Sequence, residues 1–405
     1  MQYSNSLRPA QNYLKTKGAD NKGLHITTMI HDKENIDAAK IAGEGKAEIL
    51  FFQDALSRII AHTCRQPGLS LVLTEFFDFG GDEFYFEQFP ELAGHTFGEI
   101  LNWFGESTVV GLEQGGKVLL NPSMNTVLGE KDSIIHLAED DDTSKPNSKT
   151  PKIDLSIENK GKSKEIEDNH LLVLGYNHYL PDILTELDNY AKKGTIILIA
   201  GPEIPVELAQ TPYANIELAI KECNIYNRGI LEELVQEEIE NILLLSDFEA
   251  SVEESDSKTL LLLIQLRDIE KKLNCDFNMT SEMRSVSNQA LAQVANVNDF
   301  VVGSTITNLM ITQVSENRKL SLLFEDLLDA DGSEVYMKKA GEYIKLGIET
   351  DFYTITEIAR QRNEIAVGYK KATQEGNDIV TNPKKADKVT FEKEDYLIVI
   401  SEGNE

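Results

Sequence analysis

The 405-residue sequence predicts an α/β protein made of two tandem βα-patterned domains, each followed by a small β-rich subdomain, the first copy lacking its N-terminal half. Three observations lead there. Short β-rich runs alternate with helical segments in two separate stretches, a polar stretch parts them, and the second patterned stretch repeats the first at a fixed offset.

The first copy opens with LHITTMI and AEILFF, runs of β-branched and apolar residues that suit strands. They alternate with ENIDAAKIAG and ALSRIIAHTC, whose apolar residues recur at helical spacing. Leu69 to Phe79 continues as helix, and Phe84 to Ala138 is β-rich. Residues 1–142 are thus expected to hold the C-terminal half of a βα domain with its β-rich subdomain. Glu139 to Asp168 is rich in Ser, Pro, Lys and acids with almost no apolar periodicity, so 143–168 reads as a linker.

From 169 to 405 the alternation starts afresh. LLVLGY, a helix through Asn189, GTIILIAG, a helix near Ile216 to Glu222, ENILLLSD and a helix over Lys258 to Leu273 come first. NCDFNMTSEMRS is poorly patterned. A helix over Ser287 to Ala295, the apolar DFVVG, helical Thr305 to Val314 and Leu320 to Leu328, and a β-rich tail from Val335 to Ile400 complete the second domain.

Sliding the chain by 251 residues aligns Ile49–Tyr85 with Phe300–Tyr336 without a gap, matching LSL at Leu69 and Leu320 and D-x-x-G-x-E-x-Y at Asp78 and Asp329. Further on, VVG at Val109 meets AVG at Ala366, NP at Asn121 meets NP at Asn382, and Asp132 with Glu139 meets Asp395 with Glu402. The first copy has no counterpart of Leu171 to Ala250, three strands with their helices. A parallel sheet without them has an uncovered edge. The expectation is a fragment, a product of an internal start, or one half of a split protein completed in trans, with a naturally shortened sheet as the competing reading.

Sixty-eight acids against 39 bases leave a net charge of -29, which repels a phosphate backbone or an anionic lipid surface. Cys64, Cys223 and Cys275 stand far apart, which argues against a disulfide framework or a zinc site and fits a reducing compartment. The longest apolar run, Leu260 to Leu266, falls far short of the about 18 residues of a membrane-spanning helix.

Gly175-Tyr176-Asn177-His178-Tyr179-Leu180 occupies the place of a GxGxxG phosphate loop, but Asn177 and Leu180 stand where the second and third glycines belong. Gly175 and Asn177 are nucleotide-binding candidates, with Glu203 beyond the next strand as a ribose contact; an inert strand-to-helix turn is the competing reading. Glu139, Asp140, Asp141 and Asp142 offer hard oxygen ligands for Ca2+, although consecutive side chains in an extended segment point apart. Asp247, at the carboxyl edge of the second sheet, and Asp256 are further cation candidates, with helix capping before Lys258 as the alternative. Asp329 to Glu334 carries D-x-D-G but lacks the glutamate of a calcium loop at its twelfth position and is explained by turn chemistry. Arg360 and Arg362 suit a carboxylate clamp or pairing with acids of another subunit.

Together these segments resemble the cytosolic region of the Castor/Pollux ion-channel family. The resemblance runs through CRQPGL at Cys64, EFYF at Glu83, PELAGHTFGE at Pro90, LNP at Leu120 and AEDDDT at Ala138 in the first copy. In the second copy it runs through LLLSD at Leu243, SVEESDSKTLLLLIQLRDI at Ser251, NDFVVGS at Asn298, FEDLLDADGSEVYMKKAGEY at Phe324 and ARQRNEIAVGYK at Ala359. It implies two RCK-type, Rossmann-like domains per subunit, forming a gating ring beneath a tetrameric cation channel on the cytoplasmic side of a membrane. The partners implied are a pore domain absent from this chain and identical RCK-type domains. Ca2+ is the implied ligand, a nucleotide the second choice.

Two other classes compete. An NAD(P)-dependent enzyme needs a phosphate-cradling loop and a proton donor, and the sequence offers one glycine of three and no convincing His, Tyr-Lys or Cys partner. A stand-alone nucleotide-binding regulatory subunit of a K+ transport system shares the fold. The expectation is a regulatory protein and not an enzyme.

Overall fold

The computed structural model describes residues 25–402 apart from 32, 44–46, 79, 148–150, 161–169, 236–238, 276, 289–298, 331 and 374–375. The first copy runs β1 (Ile26–Ile30), α1 (Ile36–Ala42), β2 (Ala47–Phe51), α2 (Phe52–Arg65), α3 (Leu69–Phe77), β3 (Glu83–Glu87), α4 (Phe97–Ile100), β4 (Thr108–Gln114), β5 (Lys117–Leu120) and β6 (Ser133–Ala138). The second begins with β7 (His170–Leu174), α5 (Leu180–Tyr190), β8 (Thr195–Gly201), β9 (Ile216–Glu222), α6 (Arg228–Leu234), β10 (Ile239–Leu244) and α7 (Val252–Leu273). It continues through β11 (Asn278–Met283), β12 (Asp299–Val302), α8 (Gly303–Glu316), α9 (Lys319–Leu327) and β13 (Ser333–Lys339). It ends with α10 (Ala340–Tyr343), β14 (Glu349–Asp351), α11 (Phe352–Arg360), β15 (Ile365–Thr373), β16 (Gly376–Thr381), β17 (Lys388–Thr390) and β18 (Tyr396–Glu402).

The repeat is visible element by element: β1, β2, α2, α3 and β3 return 251 residues later as β11, β12, α8, α9 and β13. The β-rich sheets share one topology, β3-β6-β4-β5 and β13-β18-β15-β16. Each breaks register at the same place, between Val109 and Gly111 on β4 and between Ala366 and Gly368 on β15. At Gly111 a Cβ would overlap the Leu119 carbonyl, and at Gly368 the Val380 carbonyl, so both bulges require glycine.

The described chain gathers into two compact units, each drawing on both copies: residues 1–70 with 167–321, and residues 71–166 with 322–405. In the first unit, β12-β11-β10-β7-β8-β9 form a six-stranded parallel sheet, and β1 pairs with β2 alone among the described residues. β1 and β2 are mostly half-buried, whereas their counterparts β11 and β12 are mostly buried. The copies exchange helices: α2 packs on β10, β11 and β12, and α8 packs on β1. Gly303 lets α8 approach α2, where a Cβ would press into Leu56 at 2.8 Å. The exchange is clasped from both sides. Asp299 accepts from Gly68 N (2.5 Å), Ser70 N (3.0 Å) and Ser70 Oγ (2.5 Å), while its counterpart Glu48 accepts from Ser321 Oγ, the counterpart of Ser70, at 3.3 Å.

In the second unit the two antiparallel sheets meet through a reciprocal pair. Asn121 Nδ2 donates to the Asn363 carbonyl (3.0 Å) and Asn382 Nδ2 to the Glu106 carbonyl (3.1 Å), with both asparagines left-handed at φ 40 and 43.

Three expectations are corrected. Ile216–Glu222 is a strand, not a helix: Ile216, Leu218 and Ile220 alternate with more exposed residues along β8, a period of two. NCDFNMTSEMRS contains buried β11, whose Met279 and Met283 line the core together with Phe277 just before it. Part of the linker stretch is packed, since Ile157 joins a core with Tyr343, Ile344 and Phe352. The helix expected over Ser287 to Ala295 falls mostly outside the described residues.

Candidate functional site

Strands β7, β8 and β9 spread one way and β10, β11 and β12 the other, so the chain order reverses between β7 and β10, where open α/β sheets bind ligands. Gly175 turns the chain there at φ +96, its N–H on the Ala200 carbonyl (2.8 Å), and a Cβ would sit 3.2 Å from the Leu245 carbonyl. Asn177, at the second glycine's place, spans the gap with its own side chain. Nδ2 donates to the Ser246 carbonyl (3.2 Å) and to Glu282 Oε2 (2.7 Å), and Oδ1 accepts from Tyr179 N (3.0 Å). Glu203 is exposed and left-handed at φ 54.

Glu282, at the end of β11, completes this crevice: Oε2 also accepts from Ser246 N (3.0 Å), and its carbonyl accepts from Ser246 Oγ (3.0 Å). Burial pushes its carboxyl up to about 7, against the pull of those donors and of Arg284. Sequence reasoning missed Glu282. The signal was Phe277, Met279 and Met283 at alternate positions, obscured by Thr280, Ser281 and Glu282.

Asp247 and Asp256 come together around Arg284. Asp247 Oδ1 accepts from Glu249 N (3.0 Å) and Ala250 N (3.3 Å), and Oδ2 from Lys258 Nζ (3.2 Å). Burial raises its carboxyl, but the Lys258 contact and these backbone donors outweigh it and hold it below the usual range. Asp256 lies inside α7, fully buried, accepting from Arg284 N (2.9 Å), Ser285 N (3.1 Å) and Asn288 Nδ2 (2.8 Å), while Ser251 caps the helix. Arg284 Nη1 donates to the Asp247 and Ala250 carbonyls. Asp256 thus ties α7 to the turn after β11, while Asp247 holds its own loop to Lys258 of α7.

In the second unit, an open cleft of roughly 270 Å³ is lined by Gly80, Asp82, Glu106, Glu139, Asn382 and Lys384, among others. Asp82 accepts from Asn382 Nδ2 (2.8 Å) and Thr381 Oγ1 (3.2 Å). Burial raises its carboxyl, those two donors pull it down, and neighbouring Glu139 pushes it up again. Of the acidic run only Glu139 lines the cleft: Asp140 caps the turn Asp141–Thr143 and accepts from Asp141 N (2.8 Å), and Asp141 and Asp142 are exposed. Asp329 shapes a turn, its carbonyl accepting from Gly332 N at 3.1 Å. Arg360 pairs with Glu357 of its own helix at 2.6 Å, and Arg362 stacks on Tyr343. Among the described residues no group of three or more His, Cys, Asp or Glu is set to hold a metal ion, and no helix is long and apolar enough to cross a membrane.

The architecture resembles the human SLO3 gating ring, with a TM-score of 0.70 and 14% identity over 97% of this chain and 84% of that one. The fold is therefore that of tandem RCK-like, Rossmann-type domains with β-rich subdomains, the first represented among the described residues by its C-terminal half. A family model described as "Castor and Pollux, part of voltage-gated ion channel" matches residues 53–154. The chain is also 27% identical over 420 residues to a probable ion channel CASTOR of Oryza sativa subsp. japonica and 27% over 419 residues to the ion channel CASTOR of Lotus japonicus. Each match covers 93% of this chain, and 47% and 49% of the relatives. The chain is thus similar to Castor/Pollux ion channels along 93% of its length and spans about half the length of these curated relatives.

Proposed function

We propose that this chain is a regulatory region of a Castor/Pollux-type cation channel, a share of a tetrameric gating ring that couples ligand binding to a pore carried outside residues 1–405. The observation that carries it is the exchange of α2 and α8 between two unequal copies, which links the ligand-facing strand ends of one copy to the other. A site coupling of about 1–3 kcal/mol, repeated around a ring, reaches the about 5.5 kcal/mol that swings a two-state gate.

Ca2+ is the proposed ligand, and the cleft that Asp82, Glu106 and Glu139 line is its proposed point of entry, these three carboxylates being too dispersed to form a metal cluster by themselves. Its oxygens suit a hard cation, and the upward push of Glu139 on Asp82 is what a cation would relieve. Asp82 and Glu106 come from the first copy and Asn382 and Lys384 from the second, so closure on a cation would draw the copies together. Asn177 spanning the switch point supports a seat away from a dinucleotide crevice. Calorimetric titration of the whole chain with Ca2+ and with NAD(H) tests this. Ca2+ binding weakened at least tenfold by Glu139→Gln is expected; NAD(H) binding with turnover, or Ca2+ binding indifferent to Glu139, would overturn it.

A further inference from the structure

The two β-rich subdomains differ at one buried spot where the repeat allows a direct comparison. His136 on β6 faces Tyr85 of β3 and Val109 of β4, and Val399 on β18 faces Tyr336 of β13 and Ala366 of β15, so the repeat equates His136 with Val399. Likewise the Met124 carbonyl accepts from Gly98 N (2.9 Å) as the Lys385 carbonyl accepts from Tyr353 N (3.1 Å), each three residues beyond its left-handed asparagine. Lys385 therefore stands where the other copy has methionine. Each copy therefore keeps one apolar residue at these positions, Met124 in the first and Val399 in the second at 8% and 0% exposure, and buries one base, His136 in the first and Lys385 in the second at 0% and 1%.

We propose that Lys385 and His136 form a proton-operated latch between the two β-rich subdomains, closed while both are neutral and loosened when they take up protons. Lys385 reaches from the second subdomain to the first, with Nζ donating to the Leu101 carbonyl at the end of α4 (2.5 Å). Among the described residues no carboxylate pairs with it. His136 Nδ1 lies 3.3 Å from Ser107 Oγ, Nε2 has no partner, and the ring packs edge-on against Phe104 and Phe89. A charge on either side chain would sit in this apolar pocket uncompensated.

The titratable groups on the surrounding elements are committed elsewhere. On α4, Glu99 accepts from Thr96 N; on α11, Glu357 pairs with Arg360, and the Tyr353 hydroxyl accepts from Asn147; Glu106 lines the open cleft. His136 is left as the group that feels Lys385. Burial pulls the amine down to about 7, and burial with the Lys385 charge pulls the imidazole down to about 3. Both are bases depressed in the closed state. The closed contact is therefore strongest at high pH and weakens on acidification, through Lys385 from about 10.5 down to about 7 and through His136 below about 6.5.

Hydrogen exchange on the full chain, corrected for intrinsic rates, tests the latch at Lys385 N and Gly98 N between pH 7 and pH 9. One proton linked to opening gives up to tenfold more opening at Lys385 N per pH unit lowered, with Gly98 N flat as the internal control. Lys385→Met, the residue the other copy uses, is expected to abolish the slope, and His136→Val to leave the slope above pH 7. A slope unchanged in Lys385→Met, or absent in the wild type, overturns the proposal. Should the methionine variant fail to fold, NMR of the 13Cε and 15Nζ resonances of unmodified, isotopically labelled lysines decides in the wild type: one lysine amine titrating well below the rest supports the latch, and none overturns it.

Discussion

Glu282→Gln separates the charge of the crevice from its shape. The folded chain keeps the Glu282 proton up to about pH 7, whereas an exposed glutamate releases it near 4.5. Between those values the folded state holds the extra proton, so Glu282's contribution is greatest below about 4.5, is lost as pH rises to about 7, and stays lost above. The span corresponds to about 3 kcal/mol at about 1.4 kcal/mol per pH unit. Glutamine keeps the shape and can accept from Ser246 N and Asn177 Nδ2 through its oxygen, but brings an amide NH2 that costs about 1 kcal/mol unless partnered. The variant should therefore be more stable than wild type at pH 8 by about 1–2 kcal/mol and show no decline between pH 5 and pH 7. Opening free energies of the β10 and β11 amides, from hydrogen exchange at pH 5, 6, 7 and 8, measure both. A variant that keeps the decline, or exchanges faster than wild type at pH 8, would refute the reasoning.

The clasp predicts unequal losses. Asp299→Ala leaves the Gly68 and Ser70 N–H groups without their buried acceptor and should cost about 3–5 kcal/mol by chemical denaturation. Glu48→Ala removes a single 3.3 Å contact at a half-buried residue and should cost under about 1 kcal/mol; equal losses would show the clasp to be symmetric after all. Gly111→Ala and Gly368→Ala should each cost about 2–3 kcal/mol, because a methyl at either bulge meets a backbone carbonyl that cannot rotate away. A neutral result at either, in a thermal melt, would mean that bulge can relax.

Much of the architecture is legible in the sequence because a repeat compares the chain with itself. Asn121 with Asn382 and Asp132 with Asp395 recur at turns that both copies must make, and the structure gives both asparagines left-handed backbone and has Asp132 and Asp395 accept from Gly129 N and Glu392 N. Local polarity misled elsewhere. Glu217 and Lys221 hid the alternation of β9, and Thr280, Ser281 and Glu282 disguised a strand buried on both sides. The candidate site was less legible because its partners are remote in sequence: Glu282 meets Asn177 across 105 residues, and Asp82 meets Asn382 across 300. Asp256 reads as a helix cap from spacing alone, and only the turn after β11 shows what its carboxylate holds.

The exchanged clasp also governs how this chain can be divided. A cut in the 143–168 stretch looks natural from the sequence, yet it would separate Ser70 from Asp299 and Glu48 from Ser321, stripping α2 of β11 and α8 of β1 at one stroke. Each product would present a buried face to water, and the piece carrying Asp299 would keep a carboxylate without its three donors. Two such pieces, made separately and mixed, would seek each other before anything else, so the natural divisor of this molecule is two interlocked halves and not two beads on a string.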